Sequence, residues 1–173
     1  MRITGGELRG RRLDGQVPQG VRPTGSRVRE ALFSILGQDL DGVHVLELYA
    51  GSGILSFEAL SRGALSATLV ERDRRVARWI HQNAQTLGVE DRVTLKIGDA
   101  MGAMPQSGQF ELVLLDPPYG TDPKPILKAL AARVAERLVI ELPKTIDPPS
   151  VPGLELEQDR RYGSGRLAIY RPS

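Results

Sequence analysis

The sequence predicts an α/β fold: a mostly parallel, doubly wound sheet that finishes in an antiparallel hairpin. Three observations predict it. From residue 43 onward, short apolar and β-branched runs alternate with amphipathic stretches, the pattern of strands joined by helical crossovers. The run Leu112-Val113-Leu114-Leu115 contains no polar residue, as a strand covered on both faces requires. The last strand-like segments, 154–158 and 166–170, have no helical stretch between them, so they pair antiparallel at one edge. A chain of 173 residues can bury one substantial core and has little room for a second.

In order along the chain, residues 2–13 alternate loosely around Gly5-Gly6 and Gly10, which predicts a short hairpin or an extended arm. Residues 1–21 thus form a basic arm, and 22–173 the main body of a single domain. Val28, Ala31, Leu32, Ile35 and Leu36 repeat at helical spacing, with Thr24 or Ser26 as the cap and Gly37 beyond the end. Strands are expected at 43–48, 67–71, 93–97, 110–115 and 137–141. Helices are expected at 54–62 and 74–87, stopped by Gly63 and Gly88, and at 125–135. The segment 160–165 joins the last two strands.

Composition narrows the chemistry. Cysteine is absent, which removes disulfides, thiolate metal sites and cysteine nucleophiles. The two histidines, His44 and His81, have no metal-ligand spacing and read as structural or surface residues, so no metal is expected. No apolar run approaches the ~18 residues that span a bilayer, and the first residues lack the apolar stretch of a signal peptide. A cytoplasmic protein without a membrane partner is the expectation, and a monomer suits one small domain. Residues 1–29 carry seven arginines against Glu7 and Asp14, a local charge of +5 in a chain whose net charge is +2. Such concentration suits a polyanion-binding face, or a merely solvated basic surface. Arg22-Pro23-Thr24 stands at a helix start, where backbone amides favour an anion.

In an open parallel sheet, ligands bind beyond the carboxyl ends of the strands. Four successive ends here carry suitable chemistry. After the first strand comes Glu47-Leu48-Tyr49-Ala50-Gly51-Ser52-Gly53, whose glycines let a ligand press against bare backbone. The second ends at Glu71-Arg72, with the acid twenty residues after Gly51, a separation suited to ribose hydroxyls. Gly98-Asp99-Ala100 follows the third, placed to bond an adenine amino group. The fourth delivers Asp116-Pro117-Pro118-Tyr119, where two prolines force the chain out of the sheet in a stiff, preset shape. Singly, these are a turn, an ion-pair partner, a helix cap and a rigid corner; in sheet order they describe one nucleotide-like ligand. A dinucleotide fingerprint would place glycine or alanine where Ser56 stands, a partial match that leaves an NAD-dependent oxidoreductase as an alternative.

A parallel sheet closed by such a hairpin resembles the Rossmann-like S-adenosylmethionine-dependent methyltransferases, whose sheets have seven strands. Asp116 to Tyr119 resemble the amino-methyltransferase tetrapeptide [DNS]-P-P-[YFW]. An exocyclic base amine is a poor nucleophile because its lone pair is delocalised into the ring. Bonds from the amine to Asp116 and to the Pro117 carbonyl favour pyramidal nitrogen and stabilise the charge that develops on it. Tyr119 stacks the base and sets its approach. A base stacked in a helix cannot reach such a corner, so the target is single-stranded or flipped out.

The resemblance then extends over almost the whole chain. MRITGGELRGRRL at 1–13, RPTGSRVREALFSIL at 22–36, LELYAGSGILSFEALSRGA at 46–64, DPPY at 116–119 and Tyr162-Gly163 are similar to the bacterial 16S ribosomal RNA guanine-N2 methyltransferases of the RsmD type. Gly25-Ser26, Ser56 and Ser164-Gly165 depart from that pattern, and none touches the tetrapeptide. The resemblance implies S-adenosylmethionine held by Glu47, Gly51, Gly53, Glu71 and Asp99, with Tyr49, Ala50, Arg72, Ala100 and Thr24 beside them. It implies transfer to the 2-amino group of a guanine in 16S RNA at the corner formed by Asp116, Pro117, Pro118 and Tyr119. Arg2, Arg9, Arg11, Arg12 and Arg22 then hold RNA phosphates, on naked RNA or a partly assembled small subunit. Other acceptors are a different RNA, a DNA adenine or a protein glutamine; DNA enzymes of this type usually add a recognition domain, and protein-glutamine enzymes usually have Asn where Asp116 stands. A non-catalytic RNA-binding factor is the remaining alternative.

Overall fold

A computed structural model describes residues 1–163 and 165–173. In chain order the elements are α1 (Ser26–Leu36), β1 (His44–Leu48), α2 (Ile54–Ser61), β2 (Ser66–Glu71), α3 (Arg74–Leu87), β3 (Val93–Ile97), α4 (Ala100–Ala103), β4 (Phe110–Leu115), α5 (Lys124–Leu130), β5 (Val134–Pro143), β6 (Leu154–Tyr162) and β7 (Gly165–Pro172). The seven strands lie in the order β3-β2-β1-β4-β5-β7-β6. Pairing is parallel from β3 to β5, and β7 runs antiparallel to both β5 and β6. The chain walks outward from β1 to β3 and then returns to β4 on the other side of β1. The crevice above β1 and β4 is therefore the switch point where such sheets bind ligands.

Alternation along the strands explains why the run Leu112–Leu115 is wholly apolar and why β1 is apolar apart from Glu47 and the half-buried His44 at its start. Val45, Leu112 and Leu114 face a core shared with α1, α2 and α3, whereas Leu46, Leu48, Val113 and Leu115 face one shared with α4 and α5. Both faces are covered, so a polar residue there must be partnered, as Glu47 of β1 is by Ser56. Asp73 caps α3 by accepting from the Arg75 amide at 2.8 Å, and Gly88 ends that helix in the left-handed region at φ 70°.

The arm folds back on itself over residues 1–13, with an isolated antiparallel bridge between Arg2 and Arg12. Ile3 donates to the Arg11 carbonyl at 2.9 Å, Gly10 to that of Ile3 at 2.8 Å, and Leu13 to that of Met1 at 3.1 Å. It rests on α2: the Glu7 amide donates to the Ser61 carbonyl at 2.8 Å. A Cβ on Gly6 would stand 1.9 Å from that carbonyl oxygen, so only glycine permits the approach.

Four expectations are corrected. Neither Thr24 nor Ser26 caps α1: Ser26 is already the first helical residue, Gly25, which has no side chain, is the cap residue, and the Arg29 guanidinium takes the Thr24 carbonyl. The helix expected to reach residue 135 ends at Leu130. A 3-10 turn follows, and Val134, 2% exposed, already pairs with Phe110, so a buried β-branched position outweighs the helix preference of the alanines. Arg160, Arg161 and Tyr162 are not a connector, since the ladder continues to the Tyr162–Gly165 pair. Ser164 lies outside the described residues. Finally, Arg29 is no part of a basic surface. It is 3% exposed and donates from Nε to Glu58 Oε1 at 3.0 Å and from Nη2 to the Arg2 carbonyl at 2.7 Å. Glu58 also receives Arg62 and both the amide and hydroxyl of Thr4. One buried carboxylate thereby joins the arm, α1 and α2, and holds the 22–24 loop over the switch point.

Candidate active site

A cleft of about 390 Å³ opens above the carboxyl ends of β1, β2, β4 and β5 and beside the loop after β3. Tyr49, Gly51, Glu71, Arg72, Asp99, Ala100 and Asp116 to Tyr119 line it, together with Arg22 and Thr24 from the loop before α1. Chain positions nearly one hundred residues apart thus share one space.

The loop after β1 is shaped by unusual backbone. Tyr49, at φ 57°, is the one non-glycine residue with positive φ among the described residues. Such strain persists only where the surroundings impose it, and it clusters at functional sites. The Gly51 amide donates to Glu71 Oε2 at 2.9 Å, while the Asp73 amide donates to Oε1 at 2.8 Å. A Cβ on Gly53, at φ 70°, would meet Leu69 at 3.0 Å.

Three residues expected at the cofactor stand behind the cleft wall. Glu47 is 4% exposed and accepts from the Ser56 amide at 3.1 Å and from its hydroxyl. It ties the first turn of α2 to β1, and burial pushes its carboxyl up to about 8 against the opposing Ser56 bonds. Ala50 and Gly53 are likewise absent from the cleft lining and set the shape of the turn. Asp99 does two jobs: it caps α4, accepting from the Met101 amide at 3.1 Å, and it faces the cleft.

At the far wall, burial is the main cause that lifts Asp116 to about 7. Glu141 adds to the shift and the Arg22 guanidinium opposes it. Burial also raises Glu141, again against Arg22. Tyr119 is 63% exposed, and the Arg22 guanidinium lies over its ring, 4.9 Å from the centroid. Arg22 therefore sits in the cleft, whereas Arg2, Arg9, Arg11 and Arg12 are exposed on the arm outside it. Of these, Arg2 donates to the Gly10 carbonyl at 3.3 Å and Arg11 to that of Thr86 at 2.7 Å.

Sequence reasoning missed Glu141 and Asp73, which also line the cleft. The signal for Glu141 is an acid directly after the apolar Leu138-Val139-Ile140, the same pattern that marks Asp116. Five acids (Glu71, Asp73, Asp99, Asp116, Glu141) thus face Arg22 and Arg72 across the cleft of a protein with net positive charge. Such a lining suits a ligand with cationic and amine groups.

Sheet order, hairpin and the loop beneath the cleft define the class of Rossmann-like methyltransferases. The solved structure of yhhF from Escherichia coli superposes with a TM-score of 0.88 at 30% identity, covering 99% of this chain and 97% of that one. The chain belongs to the family described as Conserved hypothetical protein 95, which matches residues 1–171. Bacillus subtilis YlbH is 32% identical over 184 residues, covering 99% of this chain and 98% of YlbH. Ribosomal RNA small subunit methyltransferase D of E. coli is 41% identical over 120 residues, covering 69% of this chain and 60% of that protein.

Proposed function

We propose that this protein transfers a methyl group from S-adenosylmethionine to the exocyclic N2 amine of a guanine in 16S ribosomal RNA. One observation carries the reading: the Asp116-Pro117-Pro118-Tyr119 corner and the Gly51–Glu71 loop open into the same cleft. The E. coli relative, named for small-subunit ribosomal RNA, supports the class of acceptor.

The residues present fit the cofactor. Glu71 and Asp99 offer carboxylates where ribose hydroxyls and an adenine amine would lie, Gly51 leaves backbone bare, and the acidic lining favours a sulfonium and an ammonium. S-adenosylmethionine, when bound, supplies an electrophilic methyl on a cationic sulfur and is left as the neutral thioether. Asp116 accepts a hydrogen bond from the amine and then its proton; a carboxyl raised to about 7 by burial is well matched to that task near neutral pH. Tyr119 offers an exposed ring on which the base stacks once Arg22 yields that face. The arm arginines hold phosphates outside the cleft, and they read no sequence by doing so.

The same reading gives cytoplasmic work as a monomer on naked RNA or on a partly assembled subunit. Among the described residues, no helix is long and apolar enough to cross a membrane. The test is labelled methyl transfer to unmodified small-subunit RNA and particles, followed by nucleoside analysis. Label in N2-methylguanosine is expected; label in methyladenosine or in protein would replace the acceptor, and absence of any transfer would end the reading.

A further inference from the structure

We propose that Glu141 accepts a hydrogen bond from the N1–H of the target guanine, and so selects guanine over bases that carry a lone pair at that position. This inference rests on the function proposed above and names how the same site chooses its base.

Position comes from register. Parallel β4 and β5 pair Leu115 with Ile140, so Asp116, just past the end of β4, and Glu141, still within β5, stand side by side. Both line the cleft, with Tyr119 beside them. Glu141 has a firm mount: it lies opposite Leu167 of β7. Its Oε1 lies over Gly165, where a Cβ would come within 3.0 Å, so the bare glycine leaves the carboxylate room.

Availability is the second observation. Glu141 is half-buried, yet among the described residues no side-chain hydrogen bond or ion pair of its carboxylate is formed, and the same is true of Asp116. Other buried acids of this protein are tied up: Glu58 by two arginines, Glu47 by Ser56, Glu71 by two amides. Neither carboxylate is among buried groups left without a partner, so both open onto the cleft, where a ligand can take the place of water as donor. Arg22 is the cation that opposes the shared rise of both groups, and burial is the main cause of that rise.

Two adjacent carboxylates match two adjacent donors. The Watson–Crick edge of guanine presents N1–H beside the N2 amine. Asp116 takes a hydrogen of the amine, and Glu141 takes N1–H. Adenine places an acceptor at N1 next to its N6 amine, so its lone pair would face a carboxylate. A site built around a donor rejects an analogue that lacks it, because the acceptor is left unpaired.

The experiment compares small-subunit particles carrying guanine or 2-aminopurine at the methylated position. 2-Aminopurine keeps the amine but has a bare lone pair at N1. The wild-type protein is expected to prefer guanine by about 100-fold in kcat/KM, the range for a bond to a charged acceptor. Glu141→Gln should lower transfer to guanine and bring the two bases to within a few-fold of each other, since its amide can donate to a bare N1. Its affinity for S-adenosylhomocysteine should change by far less than the preference between the two bases. Equal use of both bases by the wild type overturns the proposal without any variant, and so does a Glu141→Gln protein that keeps the wild-type preference. Glu141→Asp, which retains the charge on a shorter stem, serves as the second variant and should keep part of the preference. A wild-type protein inactive on guanine particles would instead reject the underlying function, an outcome seen separately.

Discussion

Gly51 gives its backbone N–H to Glu71 Oε2 at 2.9 Å, so the loop after β1 and the acid at the end of β2 are held as one unit. Glu71→Ala removes both the anchor of that loop and the proposed ribose ligand. The dissociation constant for S-adenosylhomocysteine should rise by about 10- to 100-fold, as for loss of a charged hydrogen bond. Calorimetric titration reads this directly, and NAD should fail to raise the wild-type melting temperature where S-adenosylhomocysteine succeeds.

Asp116 makes activity and stability respond to pH in opposite senses. Its carboxyl is raised to about 7, so transfer should fall as pH drops below about 7 and the proton acceptor is lost. Between the ordinary carboxylate value and about 7, the folded protein keeps a proton that the unfolded chain has released. Stability from this group is therefore full below the unfolded value and is lost as pH rises through the folded one. Asp116→Asn should abolish turnover, affect cofactor affinity far less, and stabilise the fold at pH 8 by up to about 4 kcal/mol. Urea denaturation at pH 5 and pH 8 checks the sign.

Glu58→Ala should cost about 3–5 kcal/mol, because it leaves Arg29 and Arg62 buried and unpaired. Thermal melting of the variant measures the loss, and Glu58→Gln should fall between it and the wild type.

Arg11→Ala combined with Arg12→Ala should weaken RNA binding and reduce the slope of log affinity against log salt by roughly 1.4–1.8, about 0.7–0.9 for each phosphate no longer neutralised. An unchanged slope would reject the arm as a phosphate-binding surface.

Most of the fold, and many of the residues that gather at the cleft, were legible because their signals are local. Apolar runs, helix-stopping glycines and paired prolines act within a few residues, and strand ends follow from strands. What escaped is what depends on pairing. Glu141 became visible only when β5 settled beside β4, and Glu47 looked like a ligand until Ser56 folded back onto it. Arg29 carried the charge of its neighbours in sequence, but a carboxylate 29 positions away decided its fate. Val134 shows the same limit: partners across the sheet, not its alanine neighbours, fixed its state.

The Glu58 junction also fixes how the basic arm is presented to a partner. Because Thr4, Arg2 and the 22–24 stretch are tied into it, the cationic hairpin is a built wall and not a trailing rope. Under the proposed function, an RNA partner would have to present its phosphates and an extruded nucleotide at the spacing this wall sets.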